Sequence, residues 1–165
     1  MKMHIVLVEP EIPQNTGNIA RTCAAIGAKL HLVYPLGFNI SEKQVKRAGL
    51  DYWDKLEIEE HINFKEFLEK YKPEDNNMFF VTTKGKHVYS EVDYSKMEDV
   101  FILFGKETKG LPEETLKKYL SKTIRIPMRE TIRSLNLSNS VAIVAYEIFK
   151  QQEFGGLEKI SKYFD

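Results

Sequence analysis

The sequence holds a single cysteine, four histidines and no net charge. One cysteine excludes an internal disulfide and fits a reducing compartment. Cys23 sits in an apolar helical stretch, where a thiol reads as buried filler rather than as a nucleophile. With 24 basic and 24 acidic side chains, the chain lacks the cationic excess of a non-specific nucleic-acid coat. No apolar run approaches the roughly 20 residues that span a bilayer. The opening MKMHIVLVEPEIP has one short apolar run, too short for a signal-peptide core, and Glu9 and Glu11 follow it, so the expected location is the cytoplasm. His4, His31, His61 and His87 are scattered without ligand spacing, which predicts no metal site. No Ser-His-Asp arrangement can be assembled from spacing either.

What is present fits one soluble globular domain, 1–165. The length suffices to bury a core without disulfides or metals, and 42% of the residues are hydrophobic against 29% charged. Charge is unevenly spread. Residues 51–80 hold nine acidic and four basic side chains, 121–150 hold five basic and two acidic, and 1–50 hold six basic and three acidic. Either the two ends of the chain form a local basic face or these charges are separately solvated; composition leaves both open. Short apolar runs at His4–Val8, Lys29–Val33, Met78–Thr82, Val100–Phe104 and Thr123–Ile126 read as strands, with a weaker one near Leu56–Ile58. Most are continuously apolar, as in strands covered on both faces. Helical patterns fill the intervals at 16–26, 41–48, 63–71, 112–120 and 139–152. Their starts are signalled by Ser41, by Asn63 with Glu66 three residues on, and by Pro112 before two acids. This alternation predicts an α/β fold, an open mostly parallel sheet with helices on both faces. Residues 155–165, after Gly155-Gly156, read as a small C-terminal appendage.

Ligands in open α/β sheets bind beyond the C-terminal ends of the strands, which selects three loops. In EPEIPQNTGNIARTC only Gly17 is present where a dinucleotide fold needs G-x-G-x-x-G, so that fold is excluded, as is a Gly-rich methyltransferase loop. Asn15 or Thr16 can cap the helix that follows. Asn18 and Arg21 share a helix face near its positive end. There a guanidinium offers a rigid fork to phosphate or to a polarised oxygen, unless Arg21 is plain surface. In GKETKGLP the fragment Gly105-Lys106-Glu107-Thr108 approaches a P-loop and fails it, because Glu107 follows the lysine and would repel a phosphate. What remains is a strand ending in Gly105, a carboxylate, and a second glycine turn at Gly110; a βα turn with an incidental glutamate is the alternative. The third loop runs from Pro127-Met128 through Arg129 and Arg133 into SLNLSNS. Ser138 or Asn139 suffices to cap the last helix, and Ser134 and Asn136 lie too far upstream to serve it. Leu135 and Leu137 between them suggest a buried polar loop with apolar anchors, of the kind that reads the edge of a flat ligand such as adenine. A solvated connection is the alternative.

The three stretches PxIPxNTGNIxRTC, LFGxETxGLP and RIPM…RSLNLSNSVAIVxYE resemble the SPOUT superfamily of RNA methyltransferases. Within it they are similar to the compact tRNA (cytidine/uridine-34) 2′-O-methyltransferases, which lack an added RNA-binding domain. KRAGLDYW at 46–53 and TTKG at 82–85 extend the match, which covers residues 4–150. The resemblance implies a C-terminal deep trefoil knot over roughly residues 78–152, with S-adenosyl-L-methionine bound within it. It assigns Val81 and Thr82 to the cofactor site, with Gly105, Ile126 and Met128 approaching through their backbones. Ser134 and Leu135 close the other side, and Asn136 braces the loop. Arg21 matches the catalytic arginine at the reacting ribose, and Glu107 and Asn15 match further catalytic motif positions. The resemblance also implies a homodimer with the helices after Asn15 and Asn139 at its interface, and no metal. RNA contact is expected from Arg21, Lys43, Lys46, Arg47, Arg129 and Arg133, with steep salt dependence. The implied reaction is methylation of the ribose 2′-hydroxyl at wobble nucleotide 34, a cytidine or modified uridine, in the anticodon loop of leucine tRNAs. Such a nucleotide is unstacked, so its hydroxyl is reachable without melting a duplex. The alternatives are a 2′-O-methyltransferase acting on another tRNA position or on rRNA, and a non-catalytic RNA-binding protein of the same fold.

Overall fold

The computed structural model describes residues 1–40 and 53–164. The expected helix over 41–48 lies outside the described residues, as do Lys43, Lys46 and Arg47. Among the described residues seven strands form one sheet: β1 (Lys2–Val8), β2 (Lys29–Val33), β3 (Ile58–His61), β4 (Met78–Val81), β5 (His87–Val88), β6 (Asp99–Phe104) and β7 (Thr123–Arg125). Their order is β3-β2-β1-β6-β4-β7-β5, and each of these pairings is parallel. β1 lies near the middle, with His4–Val8 against Lys29–Val33 on one side and Lys2–Leu7 against Asp99–Phe104 on the other.

The continuous apolar runs are explained by two-sided cover. Met3, Ile5 and Leu7 of β1 enter one core layer, whereas Val6 and Val8 enter the other. β6 divides in the same way, with Val100, Ile102 and Phe104 opposite in sense to Phe101 and Leu103. Helices α1 (Pro13–Ile26) and α4 (Leu137–Gln151) cover the first layer through Ile19, Cys23, Val144 and Ile148. Helices α2 (Phe64–Lys70) and α3 (Glu113–Lys118) cover the second through Phe67 and Leu116. Cys23 is fully buried, and burial pushes its thiol up to about 12, which makes it inert filler as expected.

Several boundaries differ from the sequence reading. α1 starts at Pro13, whose ring pre-sets the first helical dihedral and whose missing N–H costs nothing there. Asn15 and Thr16 therefore sit buried inside the first turn and do not cap it. α4 starts at Leu137, and its cap is Asn136, whose side chain accepts from Ser138 N–H at 2.9 Å and Asn139 N–H at 3.3 Å. Asn136 is thus not too far upstream; losing such a cap costs about 1 kcal/mol. β3 lies at Ile58–His61, displaced from the expected position, and the two-residue β5 carries too little periodicity to read. Asn63 caps α2 as expected, accepting from Glu66 N–H at 2.8 Å. Beyond α4, Phe154 and Leu157 pack on the first layer while Ile160, Tyr163 and Phe164 are exposed. No helix among the described residues is long and apolar enough to cross a membrane.

Candidate functional site

The C-terminal ends of β4, β6 and β7 open onto a cleft of about 790 Å³. That volume falls within the range of roughly 300–1,000 Å³ usual for small-molecule sites. Val81 and Thr82 line it at the end of β4, Gly105 at the end of β6, and Ile126 and Met128 just past β7. Ser134, Leu135 and Asn136 form the facing wall, with Arg133 beside them. All eight residues assigned to the cofactor are therefore brought together. Between β6 and α3 the chain folds back on itself, with Gly110 N–H donating to Lys106 O at 2.8 Å. Gly105 lies against that fold: a Cβ there would meet Gly110 C at 2.0 Å and Leu111 N at 2.1 Å. Its missing side chain is required by space, since no left-handed dihedral is involved.

Two loops are clasped reciprocally at one end of the cleft. The Glu107 carboxylate accepts from Ile12 N–H at 2.6 Å and from Glu11 N–H at 3.1 Å, so it satisfies the start of α1, where Ile12 itself supplies no cap. In return the Glu11 carboxylate accepts from Thr108 N–H at 3.1 Å and from the Thr108 hydroxyl at 2.7 Å. Burial raises the Glu107 carboxyl, whereas the Thr108 donors lower that of Glu11. Asn136 Nδ2 donates to Asn15 Oδ1 at 3.2 Å, which ties the third loop to α1. The three sequence motifs thus meet through Glu11, Glu107, Asn15 and Asn136. The sequence reading missed Glu11, although it stands in the first motif beside Ile12.

Some expected residues are not gathered here. Arg21 is exposed on α1 and is not among the residues that line the cleft; Arg129 is also exposed and outside it. The loop before α4 is not buried: Ser134 and Asn136 are exposed and Leu135 is 37% exposed. Its leucine faces the cleft instead of closing into a core, because the cleft lies between this loop and the sheet.

The chain is matched by the model of the SpoU rRNA methylase family over residues 2–146, most of its length. It belongs to that family. A relative from Listeria monocytogenes serotype 4b, provisionally named a tRNA (cytidine(34)-2′-O)-methyltransferase, is 51% identical over 164 residues, 99% of this chain and 96% of the relative. A solved structure described as giving insights into the 2-OH methylation of C/U34 on tRNA is 44% identical, with a TM-score of 0.85 over 93% of this chain and 97% of its own. An AdoMet-bound rRNA methyltransferase from Sinorhizobium meliloti is 27% identical, with a TM-score of 0.81 over 90% of this chain and 56% of its own. The sheet and the flanking helices are therefore those of a SPOUT-type methylase.

Outside the cleft, this SpoU-family chain departs from the expectation of scattered histidines. His4 Nδ1 lies 2.9 Å from His31 Nε2, and His31 Nδ1 lies 3.0 Å from His61 Nε2, forming a buried chain across β1, β2 and β3. Separations of 27 and 30 residues concealed it; adjacent parallel strands bring the rings together. His31, Glu59 and His61 offer ligand atoms within 4.8 Å of one another. Glu59 is already engaged by Lys29 at 2.6 Å, by Lys70, and by the Tyr71 hydroxyl at 2.9 Å. A cation there would have to compete with two lysines.

Proposed function

We propose that this chain transfers a methyl group from S-adenosyl-L-methionine to the ribose 2′-oxygen of wobble nucleotide 34, a cytidine or modified uridine, in leucine tRNAs. It is a tRNA ribose 2′-O-methyltransferase, acting as one domain over 1–165 and as a homodimer in the cytoplasm, with its last loop and helix knotted within roughly 78–152. The observation that carries this reading is the convergence of the three motif loops on one cleft of cofactor size, where Gly105, having no side chain, lets the fold-back at Gly110 and Leu111 close against the end of β6. The names of the relatives at 51% and 44% identity support the position and the sugar.

The cofactor supplies an electrophilic methyl group. Everything else is done by the chain. The backbones at Gly105, Ile126 and Met128, the end of β4 at Val81 and Thr82, and the wall of Ser134 and Leu135 would hold it. Alignment of two reactants can by itself supply about 7–11 kcal/mol. Glu107 and Asn15 act by positioning: their side chains are spent on the α1 entry and on Asn136. Arg21 polarises the hydroxyl or holds the adjacent phosphate, because a guanidinium is a poor base; the hydroxyl proton would pass to that phosphate or leave after transfer, with S-adenosylhomocysteine as the leaving group. Exposed Ile12, Ile143 and Tyr146 on and beside α1 and α4 support pairing of two copies along these helices, which would set Arg21 at the edge of a cleft shared between subunits.

Arg21→Lys is expected to lower kcat about 100-fold with the cofactor affinity intact, since an ammonium cannot reproduce a two-pronged contact. Near-normal turnover of that variant would remove the bidentate role. The function itself is tested with methyl-labelled S-adenosylmethionine and unmodified tRNA, followed by digestion to nucleosides. Label is expected in 2′-O-methylcytidine or 2′-O-methyluridine from nucleotide 34 of leucine tRNAs. Label at another position would keep the chemistry and discard the target, and cofactor binding without transfer to any RNA pool would leave a non-catalytic RNA-binding protein.

A further inference from the structure

We infer that Lys106 and Lys109 form, with Arg133 across the cleft, a phosphate-binding rim that grips the sugar-phosphate backbone of a single RNA strand as its nucleotide enters. The inference rests on the RNA methyltransferase reading and assigns substrate contacts to a loop whose motif positions are otherwise cofactor and bracing residues. All three cations line the mouth of the cleft.

The charges that line the cleft are unbalanced, with Lys84, Lys106, Lys109 and Arg133 against Glu107 alone. Glu11 lies beside Glu107. Both acids are turned inward and spent, Glu107 on the N–H groups of Glu11 and Ile12, and Glu11 on the backbone and hydroxyl of Thr108. Neither lysine side chain has a hydrogen bond or ion pair among the described residues, although both are near enough to lower the Glu11 carboxyl. Arg133 likewise has no hydrogen-bond or ion-pair partner among the described residues and is exposed on the opposite wall. The third lysine that lines the cleft, Lys84, is not in this state: it is bound to Glu113 at 2.5 Å. Acids spent internally and cations left unspent make a local positive rim on a chain whose formal charge is zero. A strand passing over the cleft with one nucleotide turned in would bring its flanking phosphates to these cations, the lysines acting as point charges.

The test is the salt dependence of binding of a labelled anticodon stem-loop RNA to the full chain and to the K106Q/K109Q variant. The variant is expected to bind about 10-fold more weakly at low salt. Its slope of log affinity against log salt should be shallower by about 1.4, at about 0.7 per lost single-strand contact. K106R/K109R should restore the slope, and a remote pair of charge removals, K65Q/K72Q, should leave it unchanged. An unaltered slope in K106Q/K109Q overturns the inference. So does a loss of S-adenosylmethionine affinity by calorimetry with RNA binding unchanged, which would give the lysines to the cofactor's carboxylate instead. Methyl transfer by the unmodified chain to the same RNA is measured in parallel. Absent transfer with the slope difference intact would defeat the methyltransferase reading and leave the rim standing.

Discussion

Gly105→Ala is expected to abolish measurable S-adenosylmethionine binding and to destabilise the fold by at least about 3 kcal/mol, a fall in Tm of about 6–12 °C. The added methyl would lie 2.0 Å from Gly110 C, 2.1 Å from Leu111 N and 2.5 Å from Gly110 O. All three are backbone atoms, so no side-chain rotation relieves the overlap. Relief requires the 106–110 fold-back to move, and with it the Glu107 and Thr108 groups that clasp Glu11 and Ile12. Gly110→Ala is the informative control. Gly110 has φ 68° and open space around its Cβ position, so alanine there meets strain of about 1–2 kcal/mol and no collision. That variant should keep cofactor binding. Thermal melts and calorimetric titration of both proteins separate the two; retained binding in Gly105→Ala would show that the loop can be rebuilt around a side chain.

Acidification is expected to destabilise the protein through its histidine chain well before its carboxylates titrate. Burial holds His4, His31 and His61 below the ordinary histidine value, with His31 lowered to about 3. These groups bind a proton more readily in the unfolded chain than in the fold. Their contribution is therefore complete above about pH 6.5 and drains away as pH falls from 6.5 toward the folded values. For His31 alone this amounts to about 2 kcal/mol by pH 5, at about 1.4 kcal/mol per pH unit, and His4 and His61 add in the same sense. The charged groups facing the chain do not reverse this. Asp99 near His4 and Glu59 near His31 and His61 favour protonation, while Lys2, Lys29 and Lys70 oppose it, and burial is the largest cause at each ring. Urea unfolding at pH 7.5, 6.5, 5.5 and 5 reads the effect as stability against pH. His31→Gln, whose amide retains a donor and an acceptor without titrating, should flatten the slope by about one proton. An unchanged slope in that variant would show that His31 does not titrate with unfolding.

The alternation of apolar runs with helical patterns contained the fold class, because strands covered on both faces must be apolar throughout and the intervening helices must be amphipathic. The strand β2 was legible to the residue, and α2 was legible from Asn63 and Glu66. The motifs also held the cleft: each residue assigned to the cofactor lies on its lining. Helix starts were less legible, since Asn15, Asn136, Ser138 and Asn139 all have capping side chains and only the path of the chain selects among them. At α1 the cap comes from Glu107, 95 residues away.

Sequence alone determined the alternating architecture, the inert buried cysteine and the motif residues that line the cleft, because these depend on local pattern and on motifs carried intact along the chain. Tertiary structure alone decided which charges are spent and which are left over. The Glu11 and Glu107 carboxylates accept from backbone and hydroxyl donors, Lys106 and Lys109 are left without a side-chain partner among the described residues, and three histidines from separate strands become one neutral chain. Pairing across a sheet or between two loops is a long-range contact, and no local periodicity records it.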